Sequence, residues 1–160
     1  MSIQDEIKEL KIKLADLEKQ AEQEKTIGRY IPKHKQEYFY INPDGYIIED
    51  INNQFFMDDY RMSTGNCFET REDAEKRRRI LINTQRLKDL AEELNNGEVV
   101  DWNDSEQAKY YLKFGENQVY GGVEYNEKLQ GTIFCLDNSI VTRAKEKIGE
   151  ENLRELILEG

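Results

Sequence analysis

Asn42-Pro43-Asp44-Gly45 separates two runs of strand-forming side chains, Tyr38-Phe39-Tyr40-Ile41 and Tyr46-Ile47-Ile48. Three of the four residues favour a turn for different reasons. Proline fixes φ, aspartate hydrogen-bonds to nearby backbone, and glycine permits a positive φ. Aromatic and β-branched residues on both sides favour extended chain, so the segment predicts an antiparallel hairpin. The stretch from Asp58 to Gly65 reads as an irregular loop.

Beyond the hairpin, the pattern changes to helix. Thr70 is a candidate N-cap, Glu72 and Asp73 put acids in the first turn, and Asn95-Asn96-Gly97 supplies the stop. Ala74, Ile80, Leu81, Leu87, Leu90, Ala91 and Leu94 form a one-faced apolar stripe between those signals. The last third predicts three short strands in a meander, KYYLKFG, NQVYGGVEY and QGTIFCL. Gly121-Gly122 inside the second strand suggests a bulge or a sharp bend. A final helix follows a cap at Asp137 or Asn138, and Gly149 divides it.

The first 26 residues carry a narrower pattern. Ile3, Ile7, Leu10, Leu14, Leu17 and Ala21 are spaced 4, 3, 4, 3, 4, the alternation of heptad a and d positions. So thin a stripe suits one partner helix, and Ile3, Ile7, Leu10, Leu14 and Leu17 are the candidate self-association residues. The expected fold is α+β, with an N-terminal coiled-coil helix over residues 1–27. A small domain over 28–160 follows, with antiparallel strands packed against a long central helix and a C-terminal helix. Each half of that domain, 28–97 and 98–160, runs from strands through a Cys-Phe or Phe-Cys pair into a helix. Two βα halves sharing one sheet would explain the echo.

Charge narrows the function classes. The 160 residues carry 23 basic and 33 acidic side chains, a formal net charge of −10. A duplex-coating nucleic-acid binder is not expected at that charge. The excess is uneven, because residues 98–160 hold 7 basic and 13 acidic side chains. No apolar run is long enough for a transmembrane helix, and none follows Met1 as in a signal peptide. Cytoplasmic residence is therefore expected, with Cys67 and Cys135 as small buried thiols. His34, the one histidine, lies between two lysines and reads as a surface residue. No catalytic, phosphate-loop or metal-ligand spacing is present, so no enzyme activity, cofactor or metal is expected.

Arg77, Arg78 and Arg79 interrupt the long helix with three consecutive cations. Successive helical residues lie 100° apart, so one of the three must approach the buried stripe or a partner. Snorkelling over the sheet is one reading. The other is an anion pocket in which Arg79 and Arg86, with Arg29 or Arg61, hold a nucleotide phosphate while Tyr38 and Tyr40 stack its base.

The strings EYFYINPDGYIIED, RMSTGNCFETREDAEKRRRI and LKDLAEELN resemble small uncharacterised proteins encoded by phages and prophages of Gram-positive bacteria. That family places an aromatic hairpin before a G-N-x-F-x-T-x-E-E-A-E pattern that opens a long helix. Here Gly65, Asn66, Phe68, Thr70, Glu72, Asp73, Ala74 and Glu75 match it, and GTIFCLDNSIVTRAKEKIGEENLRELI is similar to the closing strand and helix. The resemblance spans 37–95 and 130–160 and departs at the arginine triplet, where the family commonly has apolar residues. It implies phage origin and offers no catalytic residues. Phage accessory proteins of this size often disable host defences. The expectation is thus a non-enzymatic, anti-CRISPR-like inhibitor that binds a nuclease-type effector in the host cytoplasm through an acidic surface. Residues 98–125 and the C-terminal helix would carry that surface. Two alternatives remain: a dimeric sponge for a nucleotide immune signal, and a phage structural or assembly factor.

Overall fold

The computed structural model describes Lys13 and residues 29–159. The heptad positions Ile3, Ile7, Leu10, Leu14 and Leu17 lie outside the described residues, and so does the coiled-coil helix expected over 1–27. Within the described chain the fold is α+β, with four helices and two separate two-stranded antiparallel sheets. The chain forms two compact units that divide between Ala74 and Glu75.

In the first unit the expected hairpin is present. Strand β1 (Glu37–Ile41) pairs with β2 (Ile47–Ile51), placing Phe39 opposite Glu49 and Ile41 opposite Ile47. The Asn42 side-chain oxygen accepts the Tyr46 N–H at 2.7 Å, and Gly45 takes φ +82°. The predicted loop after the hairpin is instead helix α1 (Phe56–Thr64). Two features build it. Asp58, three residues into the helix region, reaches back to accept the Phe55 N–H at 3.0 Å, half of a capping box. At the other end Gly65 (φ +71°) donates to the Met62 carbonyl, and the Asn66 N–H donates to Arg61 O at 2.8 Å, a Schellman closure. Phe56, Met57 and Tyr60 of α1 face outward, Met62 is half-buried and Asp58 faces inward, so hydrophobic periodicity gave no helix signal.

Helix α2 (Arg71–Asn95) starts where predicted, with the Thr70 hydroxyl accepting the Asp73 N–H at 3.1 Å. Asn96 (φ +47°) and Gly97 (φ +86°) follow its last residue. The units divide within the first turn of α2, whereas the sequence boundary at residue 97 falls after it.

In the second unit β3 (Lys109–Gly115) pairs with β4 (Gln118–Glu124), and α3 (Ile140–Ile148) and α4 (Glu150–Glu159) pack against both strands. Ile80, Leu87, Leu90 and Ala91 of α2 close a core with Leu112, Val119, Cys135, Ile140, Ala144, Ile148, Leu153 and Leu156. Gly149 separates α3 from α4, as predicted. Three expectations need correction. QGTIFCL forms no third strand; it meets β3 through one bridge, Tyr110 to Cys135. The halves do not share one sheet. Gly121-Gly122 makes no bulge: Leu112 pairs with Gly121 and Tyr111 with Gly122 in unbroken register. The Tyr111 ring fills the space a Gly122 side chain would need, so the glycine serves close approach.

The echo between the halves has a structural counterpart. In each unit the first hairpin strand makes a single antiparallel bridge to a later segment, Phe39 to Phe68 and Tyr110 to Cys135. Each bridging strand residue is preceded by a wholly buried polar-tipped side chain, Tyr38 or Lys109.

Candidate functional site

Residues 98–108 join α2 to β3 and carry the acids Glu98, Asp101, Asp104 and Glu106 on exposed positions. A loop this polar lacks a core of its own, and two side chains fasten it. The Gln107 amide oxygen accepts the Asp101 N–H at 2.7 Å, and its nitrogen donates to Val99 O at 3.2 Å. Lys109 is 0% exposed, and its ammonium donates to the carbonyls of Asp104 (2.8 Å), Gln107 (2.8 Å) and Tyr125 (2.9 Å). A buried ammonium must have such partners, because stripping its hydration costs several kcal/mol otherwise. All three donor hydrogens are used, so the loop backbone is held on a charged peg.

The peg also meets an aromatic wall. Lys109 Nζ lies 5.4 Å from the Trp102 ring centroid, and Trp102 packs edge-on against Phe134 at 4.8 Å. Asp101 and Asp104 each spend one carboxylate oxygen on a local turn, accepting the Asn103 and Glu106 N–H at 2.9 Å. None of the four loop acids enters an ion pair among the described residues. Four carboxylates without ion pairs, set against the one buried Lys109 ammonium, leave the anchored loop net negative.

The C-terminal helix, expected to share the acidic surface, is mostly neutralised instead. Glu155 binds Arg79, Glu159 binds Lys76, and Glu150 binds Lys145 at 3.3 Å. Glu150 also accepts the Val119 N–H at 3.0 Å, and that bond, followed by Lys145, holds its carboxyl below the usual range. Among the described residues the 98–106 loop is therefore the densest run of unpaired acids in the second unit, with Glu116, Glu127 and Glu151 exposed and unpaired elsewhere.

The arginine candidates separate. Arg79 grips Glu155 through two nitrogens, at 2.9 and 3.3 Å, and this bonding lowers the Glu155 carboxyl. Arg86 reaches Asn83 Oδ1 at 3.4 Å and lines a separate hollow with Asp89, Leu90, Glu93 and Lys147. Arg79, held by Glu155, does not line the Arg86 hollow. Arg77 is exposed and Arg78 half-buried, the fanning expected of three consecutive helical residues.

Tyr38, Tyr40 and Arg61 do meet, in the first unit. Arg61 Nη1 donates to Tyr38 Oη (2.6 Å) and to Asp50 Oδ2 (2.7 Å), and its guanidinium lies 3.6 Å from the Tyr40 ring centroid. Tyr38 in turn donates to Asp58 Oδ1 at 2.7 Å. Asp58, 3% exposed, also accepts the N–H groups of Asn53 and Phe55. Burial pushes the Asp58 carboxyl up, but the bonds from Tyr38, Phe55 and Asn53 and the Arg61 charge outweigh it, and the group sits below its ordinary value. Burial raises the Tyr38 phenol well above its ordinary value. These guanidinium and carboxylate groups satisfy one another, which makes the cluster a structural lock rather than an open anion site. Burial likewise pushes the Cys67 thiol up to about 11, and Cys67 and Cys135 are both free and buried.

Sequence reasoning missed Lys109 and Asp58. The available signal was a charged residue inside an apolar strand for one and a Gly-Asn helix stop seven residues downstream for the other. Among the described residues no helix is long and apolar enough to cross a membrane. Comparison of the chain with protein-family models, curated proteins and solved structures returned no match.

Proposed function

We propose that the protein is a non-enzymatic phage accessory factor that inhibits a host defence by binding in the host cytoplasm. The proposed target is a nuclease-type effector of the CRISPR kind, whose basic nucleic-acid groove receives the acidic loop. The observation that carries this reading is the loop itself: Glu98, Asp101, Asp104 and Glu106 are exposed, lack ion pairs among the described residues, and ride on a backbone pegged by Lys109. Anchored carboxylates bind a basic groove with less ordering cost than mobile ones, and long-range attraction speeds encounter. The arginine clusters favour a protein partner over a nucleotide, because Arg61 and Arg79 already hold carboxylates that a phosphate would have to displace.

The test is gel filtration of the full chain mixed with candidate effector–guide complexes, paired with an immunity assay in infected cells. Comigration with one effector and loss of immunity supports the reading. Intact immunity with no comigration overturns it, as does recovery of the protein as a stoichiometric component of purified virions.

A further inference from the structure

Helix α1 displays its apolar side chains to solvent. Phe56 is 78% exposed, Phe55 69%, Tyr60 55% and Met57 51%. At 100° per residue, Phe56, Tyr60, Thr64 and Met57 cover about 100° of the helix circumference. Beside them a groove of about 440 Å³ opens between α1, the end of β1 and the hairpin turn, lined by Tyr40, Pro43, Met57, Tyr60 and Thr64 among others. The groove is preformed, since the Schellman closure and the buried Asp58 fix α1 at both ends.

Charge selects the occupant of this face. Side chains of this size expose roughly 200 Å² each when free, so the four present roughly 500 Å². That lies within the roughly 300–600 Å² of the largest apolar patch on a typical monomer, a patch that is often functional. Between residues 40 and 66, which include every groove residue, stand five carboxylates and one cation, Arg61. Asp50 and Asp58 take up the Arg61 charge, leaving Asp44 and Asp59 exposed, while Glu49 alternates to the other face of the hairpin and Arg29 adds one cation at the end of α1, where it donates to Ser63 O at 2.9 Å. Two chains of net charge −10 would repel across such a face, whereas a cationic segment is drawn to it. The same face already holds one arginine of the chain itself: the Arg61 guanidinium lies 3.6 Å from the Tyr40 ring centroid and 2.7 Å from Asp50.

We propose that the α1 face and its groove dock a short segment of the partner protein in which arginines alternate with apolar residues. The apolar residues cover Phe56, Met57 and Tyr60, and the guanidiniums stack on the exposed tyrosine and meet Asp59 and Asp44. The inference rests on the binding reading above in one respect, that the partner is a protein; it uses none of the acidic loop.

The probe is a fluorescein-labelled nonapeptide of alternating Arg and Leu, with a Glu/Leu peptide of equal length as control, titrated by anisotropy against the full chain. The Arg/Leu peptide binds and the control does not. Phe56→Ser with Tyr60→Ser, which leaves charge unchanged and removes only exposed side chains, weakens binding at least tenfold at an unaltered unfolding midpoint. Asp101→Asn with Asp104→Asn leaves peptide affinity within twofold, which separates this site from the loop. Wild-type affinity in the double serine variant overturns the proposal. So does a serine variant that keeps peptide affinity but changes the mass by light scattering, which would make the face a self-contact. If effector binding requires the loop acids while the serine variant still binds peptide, this inference fails and the loop reading stands.

Discussion

Replacing Lys109 by methionine keeps most of the buried stem and removes the ammonium. Three charge-assisted bonds, at 2.8, 2.8 and 2.9 Å, are lost together. Each such bond contributes roughly 1.5–3 kcal/mol net, but a desolvation penalty of several kcal/mol disappears with the charge. Asp104 and Tyr125 are exposed residues, so water can reach their released carbonyls. The balance is a loss of about 1–3 kcal/mol in urea unfolding. The local effect is larger than the global one, because residues 98–108 keep the Gln107 clasp, the Asp101 and Asp104 turns, the Glu98 N–H bond to Asn95 O and the Trp102–Phe134 contact but lose the bonds that tie the loop backbone to β3. Trp102, the one tryptophan in the chain, reports on it directly. Its emission should shift to the red as it leaves Phe134, and loop amides should exchange faster. Effector binding separates two explanations by sign. The variant is one charge more acidic, so attraction alone predicts tighter binding, whereas a preorganised loop predicts weaker binding by tenfold or more. Unchanged emission and exchange, or tighter binding, would refute the peg.

Asp58 predicts a pH dependence. Its carboxyl is depressed in the folded chain, so its contribution is fully present above the unfolded value near pH ~4 and is lost as pH falls through the lower folded value. Acid denaturation followed by circular dichroism should therefore begin below about pH 4, and Asp58→Asn should flatten that limb while costing about 1–3 kcal/mol at neutral pH; an unchanged acid limb would count against the lock. The two-residue β3–β4 turn puts Glu116 and Asn117 at φ +51° and +62°, so Asn117→Gly should stabilise by about 0.5–1 kcal/mol, read as a higher melting temperature. Gly122→Ala places a methyl into the Tyr111 ring and should cost about 1–3 kcal/mol; a neutral result would mean the ring moves freely. Leu10→Asp with Leu14→Asp tests the heptad reading by light scattering, where an unchanged mass would refute self-association through that stripe.

What could be read ahead of the structure followed backbone chemistry. The Asn-Pro-Asp-Gly turn, the Thr70 cap, the Asn-Asn-Gly stop and the Gly149 break carry their conformations in residue type, and each lies where expected. Helix α1 was hidden because Phe56, Met57 and Tyr60 face water and its buried anchor is an aspartate, the reverse of the usual pattern. The missing third strand failed for a different reason: QGTIFCL has strand composition but meets β3 at one bridge. Of the site, the acidic excess after residue 98 was visible as arithmetic. That its densest unpaired run is one loop was not, because this depends on Arg79 and Lys76 pairing acids of α4 over long sequence separations, with Lys145 pairing Glu150 five residues on.

The most direct measurement is effector binding by a chain whose loop acids are neutralised in place, Glu98→Gln, Asp101→Asn, Asp104→Asn and Glu106→Gln, compared with wild type on the same column and in the same immunity assay. The account predicts that the neutralised chain folds with wild-type Trp102 emission, no longer comigrates with the effector, and leaves immunity intact. Undiminished comigration and inhibition would contradict it.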